Sequence, residues 1–157
     1  MKKKILIITT IILIIILIVV GIYYTKYRTN KMICTYSIET DVYAIKSKYV
    51  VTYKNKIVSN IYTKEIFKNN DEKTLKNHKL TLDTLYQPYN NLKYYDYEVV
   101  LKDNQVISKT NINYKKIDIE KFKKIDSSNN KILTNNKVVL KTIKKIYKNN
   151  GARCIYR

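Results

Sequence analysis

The chain has 157 residues and a formal net charge of +19, with 31 Lys and Arg residues against 12 Asp and Glu residues. Its two glycines, Gly21 and Gly151, lie far apart, which excludes the glycine-rich phosphate loops of Walker-type and dinucleotide-binding proteins. Two cysteines and one histidine fall short of the four ligands of a structural zinc site. We therefore expect no metal and no cofactor.

The basic charge has two interpretations. A field this positive attracts polyanions such as nucleic acid, anionic lipid head groups and cell-wall polymers. Alternatively, the charge reflects coding bias, because Lys, Asn, Ile and Tyr have AT-rich codons, and the lysines form a solvated surface. The lysines are spread from Lys46 to Lys148 instead of forming one block, which favours the second interpretation.

An apolar run from Ile5 to Ile22 follows three N-terminal lysines and precedes a tyrosine-rich, basic stretch that ends at Arg28. About 18 apolar residues are enough for one helix to cross a ~30 Å hydrocarbon core, and tyrosines suit the membrane interface. We predict a single transmembrane helix here. The lipid bilayer, contacted through residues 5–22, is thus a predicted partner.

The same segment has a second interpretation as a cleavable secretory signal, in which a shorter apolar stretch is followed by small residues. Tyr23, Tyr24 and Tyr27 follow here instead, which favours an uncleaved anchor. No cysteine precedes Cys34, so the segment offers no site for bacterial lipid attachment.

Three parts of the chain follow from these features: a transmembrane anchor over residues 1–25, a juxtamembrane spacer over 26–32 and an extracytoplasmic domain over 33–157. Basic residues on both sides of the anchor barely discriminate its orientation. We expect a cytoplasmic N-terminus in the cell membrane, because a lone N-terminal apolar segment usually exports the domain that follows. That domain is large enough to bury a core.

Cys34 and Cys154 are the two cysteines of the chain, and they bracket the predicted domain. In an exported chain, cysteines placed in this way indicate a disulfide. Closing a loop of about 120 residues stabilises a domain by up to roughly 4–5 kcal/mol on the chain-entropy model. The alternative is a pair of unrelated buried thiols.

Alternating apolar and polar residues predict strands over 33–39, 49–53 and 57–67, with a hairpin turn at 54–56. In the third strand, Ile57, Ser59 and Ile61 are expected to share one face. A helix-start cluster at 70–72 is followed by apolar residues at helical spacing, namely Leu75, Leu82, Leu85 and Tyr86. Pro88 is expected to end or kink this helix.

A second hairpin is predicted over 95–114, with its turn at 102–104, and Asp118 can cap a short helix that ends near Ile125. Residues 127–131 have the composition of a loop. Asn136 can cap a last helix that stops at Gly151, and a short strand over 152–156 carries Cys154. The order β-β-β-α-β-β-α-α-β predicts an α+β fold, with an antiparallel sheet packed on one face by two or three helices.

The chain resembles the YehR-like small bacterial lipoproteins over roughly residues 48–151. The similarity lies in the runs Tyr49–Val58 and Asn111–Phe122, the central helix ending near Tyr89–Leu92 and the last helix closing on Asn150-Gly151. This resemblance implies a small α+β domain on the outer side of a bacterial membrane. It defines no catalytic or ligand residues to carry over. Because the lipid-attachment cysteine of that family is missing, a protein anchor and a Cys34–Cys154 disulfide are favoured instead.

Catalytic chemistry finds little support in the sequence. His78 lies among lysines on a predicted helix surface, where we expect it to be solvated. Asp96 and Glu98 share one face of a strand and could act as a carboxylate pair. Lys109 lies nearby, so we interpret them as partners in surface ion pairs. We expect no catalytic residues and no enzymatic activity.

Tyrosines on a basic surface can stack bases or sugar rings. Strand alternation assigns Tyr95 and Tyr97 to the core, which leaves Tyr94 exposed. The candidate ligand surface is therefore Tyr94 with Lys102 and Lys109.

We interpret the chain as a membrane-anchored extracytoplasmic domain with a non-catalytic binding or envelope-associated role. Its expected partner is an anionic envelope polymer or another protein, and nucleic acid is disfavoured at this location. The alternative function is that of a basic surface module that binds a polyanion such as cell-wall polymer or DNA. An enzyme ranks third and would need a cleft lined by Asp96, Glu98 or His78.

Overall fold

The computed structural model describes residues 12–23 and 28–157. Within these ranges eight strands form: β1 (Asn30–Glu39), β2 (Tyr43–Lys54), β3 (Ile57–Asn69), β4 (Tyr95–Lys102), β5 (Gln105–Ile112), β6 (Leu133–Thr134), β7 (Lys137–Val138) and β8 (Arg153–Tyr156). Four helices accompany them: α1, of which residues 12–23 are described, α2 (Glu72–Tyr86), α3 (Ile119–Ile125) and α4 (Leu140–Asn149). Short 3-10 turns occupy Gln87–Tyr89 and Ser127–Ile132.

Six of these strands form one antiparallel sheet in the order β4-β5-β3-β2-β1-β8, and β6 and β7 form a separate small hairpin. The predicted antiparallel α+β fold is confirmed. The predicted order of elements was wrong in one respect, because it lacked the β6–β7 hairpin between α3 and α4. The structure also differs from the prediction at residues 127–131, which were expected to be a loop and form a 3-10 turn.

Two-residue turns connect the hairpins. Both central residues have positive φ in the β2–β3 turn (Asn55, 49°; Lys56, 65°) and in the β4–β5 turn (Asp103, 51°; Asn104, 55°). This geometry matches the right-handed twist of the strands, and Asn and Asp adopt it more readily than most residues. The turns predicted at these two places are confirmed.

Strand β3 contains a bulge that changes its alternation. Thr52 pairs with Asn60 whereas Tyr53 pairs with Val58, so Ser59 has no opposite partner in β2. As a result Val58 and Ile61 are both buried although they are three positions apart. The prediction that Ile57, Ser59 and Ile61 share a face was wrong for this reason.

Aspartates begin two of the helices. The Asp71 carboxylate accepts a hydrogen bond from the Thr74 amide at 2.9 Å, and the Asp118 carboxylate accepts one from the Lys121 amide at 3.0 Å. The predicted cap at Asn136 was wrong, since Asn136 (φ 59°) forms the β6–β7 turn and α4 begins after Val139. Gly151 ends α4 in the left-handed conformation (φ 82°).

Three apolar clusters lie between the sheet and helices α2, α3 and α4. Leu75 and Leu82 of α2 pack on Val106 of β5, Phe122 of α3 packs beside Tyr89, and α4 packs on β1, β2 and β3 through Leu140, Ile143, Met32, Val51 and Ile61. Leu85 was predicted on the apolar face of α2, but its side chain is 54% exposed. Burial raises the pKa of Tyr95, Tyr114 and Tyr147, so these tyrosines stay neutral within the core.

The predicted disulfide joins β1 to the edge strand β8. Cys34 and Cys154 are direct cross-strand partners with their Cα atoms 4.0 Å apart, and the two sulfur atoms are bonded. Lys31 and Arg157 exchange two backbone hydrogen bonds, of 2.9 and 2.8 Å, at the end of the same ladder. The disulfide is confirmed, and it fixes the last strand to the first.

The described part of α1 is apolar on all sides, and its large apolar side chains from Ile12 to Ile22 are each half exposed or more. Among the described residues, we find no helix that is both long and apolar enough to span a bilayer. Much of the predicted anchor (residues 1–11, 24 and 25) and part of the predicted spacer (residues 26 and 27) lie outside the described residues.

Candidate functional site: the open face of the sheet

The helices α2, α3 and α4 cover one face of the sheet, and the other face is open in the part of the chain that the structure describes. Val99 and Leu101 of β4 pack against the cluster around α2. Because successive side chains of a strand alternate, Asp96 and Glu98 point to the opposite face, where both are exposed. We call this second side the open face.

A row of charged residues crosses the open face perpendicular to the strands. Its members are directly paired from strand to strand, through β8, β1, β2, β3, β5 and β4. They are Arg153, Thr35, Lys48, Lys64, Lys109 and Glu98. Five of the six members are therefore charged, and four of those five are basic. We call this set the basic row.

The centre of the basic row places like charges directly opposite one another. Lys64 pairs with Lys48 on one side and with Lys109 on the other. Neighbouring strands lie about 4.8 Å apart, and like charges in directly opposed positions destabilise a sheet. The arrangement therefore costs stability that an anion lying across the strands would restore.

Only the β4 end of the basic row is neutralised within the described residues. Lys109 donates a hydrogen bond to Glu98 over 2.7 Å, and this bond, together with the negative charge, raises the pKa of Lys109. The ion pair predicted for this carboxylate is confirmed. It leaves Lys48, Lys64 and Arg153 to create the positive field of the row.

Apolar residues flank the basic row on both sides. Ile33, Val50 and Tyr62 lie in the row nearer the N-terminal end of β1, and Ile66, Ile107 and Val100 lie in the row on the other side. A shallow depression of about 360 Å³ opens beside Lys46, Lys48 and Lys64. Asn111 and Asp96 continue the first of these rows and Lys46 belongs to the second, so the open face offers a basic row between two partly apolar rows.

The structure separates the three residues that were predicted to form a ligand surface. Lys102 and Lys109 lie on the open face, Lys102 beside the β4–β5 turn and Lys109 in the basic row. Tyr94 lies at the other end of β4, about 27 Å from Lys102 along an eight-residue strand. Its ring is contacted by the ammonium groups of Lys93 at 5.1 Å and Lys116 at 5.5 Å.

The sequence prediction missed Lys48, Lys64 and Arg153. The lysines are dispersed along the chain, yet strand pairing aligns them in space. A local signal existed for Lys48, because β2 alternates and its inward residues are apolar or small. The alignment with Lys109 depends on pairing between β3 and β5, which are far apart in sequence, and no local pattern specifies that register.

His78 is not solvated as predicted. Its ring packs against Phe67 with centroids 4.3 Å apart, and its Nε2 is buried and has no hydrogen-bond partner among the described residues. Burial lowers the pKa of His78, an effect that the nearby charge of Glu65 opposes. Glu65 itself accepts a 2.9 Å hydrogen bond from Ser47 on the covered face.

Asp96 and Glu98 line a shallow depression of about 140 Å³ together with Lys109, whereas His78 packs against Phe67 on the covered face, so these three candidates do not meet in one cleft. Within residues 12–23 and 28–157, no three His, Cys, Asp or Glu side chains come together as metal ligands. The geometry describes an α+β domain with one helix-covered face and one basic open face.

No protein-family model matches this sequence, and neither does any curated protein sequence. Similar solved structures include that of the Escherichia coli protein YehR, with a TM-score of 0.54 and 15% identity, covering 80% of this chain and 91% of that one. A protein from Streptococcus pneumoniae TIGR4 aligns with a TM-score of 0.47 at 15% identity, covering 83% of this chain and 87% of that one. The alignment with YehR shows that the chain has a YehR-like fold. Membership of the lipoprotein family itself stays a prediction.

Proposed function

We propose that this chain is a membrane-anchored extracytoplasmic domain that binds an anionic envelope polymer on its open face, without catalysis. The observation that carries the proposal is the basic row, in which Lys64 faces Lys48 and Lys109 directly. Directly opposed like charges destabilise a sheet, and proteins tolerate such a loss of stability at functional sites.

The anchor is supported by the apolar run from Ile5 to Ile22 and by the exposure of its described part. A helix that is apolar on every side has to bury its side chains away from water, and a lipid bilayer can surround all of them. The described part of α1 is such a helix, because the apolar side chains of residues 12–22 are exposed. Since no cysteine precedes Cys34, we propose anchoring by this helix and not by an attached lipid.

The composition of the open face favours a polymer without bases. Proteins that hold single-stranded nucleic acid combine a basic groove with several aromatic platforms. Among the described residues of the open face, Tyr62 is the sole aromatic side chain. A linear polyol-phosphate polymer carries phosphates at intervals, which the cations of the basic row can contact, and it has no bases that need aromatic platforms.

Binding of poly(glycerol phosphate) to the full chain in detergent micelles tests the proposal. With about three lysine–phosphate contacts, we expect affinity to fall about tenfold or more between about 50 and 200 mM salt. Lys48→Gln/Lys64→Gln should weaken binding at low salt and flatten this salt dependence. The matched control is Lys73→Gln/Lys76→Gln on α2, which removes the same charge away from the open face.

The stability of the single variant Lys64→Gln provides a second readout. Because this substitution removes the like-charge contact with Lys48, and a weaker one with Lys109, whose charge Glu98 offsets, we expect the free energy of unfolding to rise by about 0.5 kcal/mol while polymer binding weakens. The proposal would be contradicted if Lys48→Gln/Lys64→Gln and Lys73→Gln/Lys76→Gln weakened binding equally. Tighter binding of a single-stranded oligonucleotide than of the polymer would favour nucleic acid, and binding of neither would leave a protein as the partner of this face.

A further inference from the structure

A cleft of about 640 Å³ lies at the end of the sheet where β1 begins. Four separate segments form its walls: Thr29 before β1, the end of β2 with the β2–β3 turn and the start of β3, the stretch after β5, and β7. The residues that matter for its chemistry are Thr29, Lys54, Ile57, Val58, Lys115 and Lys137. It lies apart from the basic row, which crosses the middle of the sheet.

Backbone contacts hold the walls of this cleft together. The Lys115 amide donates to the Ser59 carbonyl over 3.4 Å, and Ile57 forms an isolated antiparallel bridge with Val139. The Leu140 amide donates to the Lys56 carbonyl over 2.9 Å. The lysines are therefore carried by a preformed frame, a property typical of binding sites.

The cleft combines positive charge with an apolar floor. Lys54, Lys115 and Lys137 line it, and none of its described lining residues is acidic. Val58 forms a buried part of its floor, while Ile57 is 37% exposed at its edge. A phosphate group attached to an apolar body satisfies both features at once.

The position of the cleft indicates where that ligand comes from. Thr29 lines the cleft and lies six positions after Tyr23, at the end of the described part of α1. Six residues span at most about 21 Å, so the cleft stays close to the point where the chain would leave a bilayer. The opposite end of the sheet carries both charges, on Glu39, Asp41, Asp71, Glu72 and Asp103 and on Lys68, Lys73 and Lys102. Carboxylates outnumber lysines at that end, whereas none of the described residues that line the cleft is acidic.

We infer that this cleft binds the phosphate headgroup of an anionic phospholipid in the membrane that anchors the chain. The inference rests on the proposed anchor and adds an orientation to it. The basic end of the domain faces the headgroups and the acidic end points away. Lysines close to an anionic membrane surface are attracted to it, and the attraction falls off within a Debye length.

Tryptophan fluorescence can test this orientation, because the natural chain contains no tryptophan. Ile57→Trp places a reporter at the cleft. Val42→Trp places a comparison reporter in the β1–β2 turn at the acidic end, where Val42 is 68% exposed. The full chain is reconstituted in phosphatidylcholine vesicles, with or without phosphatidylglycerol, containing a headgroup spin-labelled lipid as quencher. Flotation of the vesicles first establishes that the chain is anchored.

We expect phosphatidylglycerol to increase quenching at position 57 about twofold and to leave position 42 unchanged. Lys115→Gln/Lys137→Gln should abolish the increase, whereas Lys73→Gln/Lys76→Gln should not. Hydrogen exchange of the wild-type chain over residues 54–60 provides the same comparison without a reporter, and phosphatidylglycerol should slow that exchange.

If the chain floats with the vesicles but quenching at position 57 does not depend on phosphatidylglycerol, the inference is overturned and the proposed anchor is retained. Chain that fails to float would overturn the anchor and the inference together. Glycerol phosphate added without vesicles is the last arm. If it slows hydrogen exchange over residues 54–60 as much as phosphatidylglycerol vesicles do, the cleft would be assigned to a soluble phosphate compound and the lipid assignment would be overturned.

Discussion

His78 is the residue whose environment departs most from its polar character. Its imidazole lies between α2 and β3 against Phe67, with Nε2 buried and unpaired within the described part of the chain. An imidazole without a partner favours its neutral form, and the pKa of His78 is lowered accordingly. The unfolded chain therefore binds a proton more readily than the folded chain does.

This difference predicts a loss of stability in acid. Because the folded-state pKa lies below the usual value of about 6.5, stability falls as the pH drops through that value. We expect His78→Leu to be more stable than the natural chain, with a larger advantage at about pH 5 than at about pH 8. Urea unfolding at both values measures it. Asn77→Leu, on the exposed side of α2, is the control. An equal pH dependence in His78→Leu and the natural chain would contradict the assignment.

Some residue environments could be predicted from the sequence and others could not. Asp71 and Asp118 could be predicted as caps because a cap depends on residues within one turn. His78 could not be predicted as buried, since its partner Phe67 belongs to another element. The same holds for Lys64, whose charge is visible in the sequence but whose opposite neighbours depend on strand register.

Among the elements, β8 depends most on a covalent bond. It has four residues, lies at the edge of the sheet and pairs with β1 alone among the described strands. Its disulfide closes a loop with a sequence separation of 120. Such a bond restricts the unfolded chain strongly, and a short edge strand has few other contacts to replace it.

We expect Cys34→Ser/Cys154→Ser to lower the free energy of unfolding by up to about 5 kcal/mol. Amide hydrogens of β8 should exchange faster than those of β3, because β8 opens first. Urea unfolding with and without reductant provides the control, since reductant should destabilise the natural chain and not the variant. Equal urea midpoints for the variant and the natural chain would show that the bond contributes nothing.

The long elements could be predicted from sequence and the short ones could not. Alternation over β1 and β4 and apolar spacing in α2 extend over enough residues to specify the period. The β6–β7 hairpin has two residues in each strand, so it has no period to detect. The bulge at Ser59 breaks the period of β3 and so misled the prediction of its faces.

At the scale of the whole molecule, the disulfide provides a test of topology. If the domain lies outside the membrane, a membrane-impermeant thiol reagent should label intact cells only after reduction. Labelling without reduction would show free thiols in an exported domain. Labelling that appears only after lysis would place the domain in the cytoplasm and contradict the proposed anchor orientation.

The joining of β1 to β8 has a mechanical consequence for a tethered protein. β1 is the first strand after α1, and it lies between β2 on one side and β8 on the other. A pull on the tether would therefore load β1 along its length, in shear against two neighbours, so that many hydrogen bonds would have to break together. The Cys34–Cys154 disulfide links β1 to β8 covalently, so these two strands cannot separate at this position. A polymer bound to the basic row would exert force on several strands at once. Tension between membrane and envelope would then be distributed over the sheet and would not detach a single edge strand.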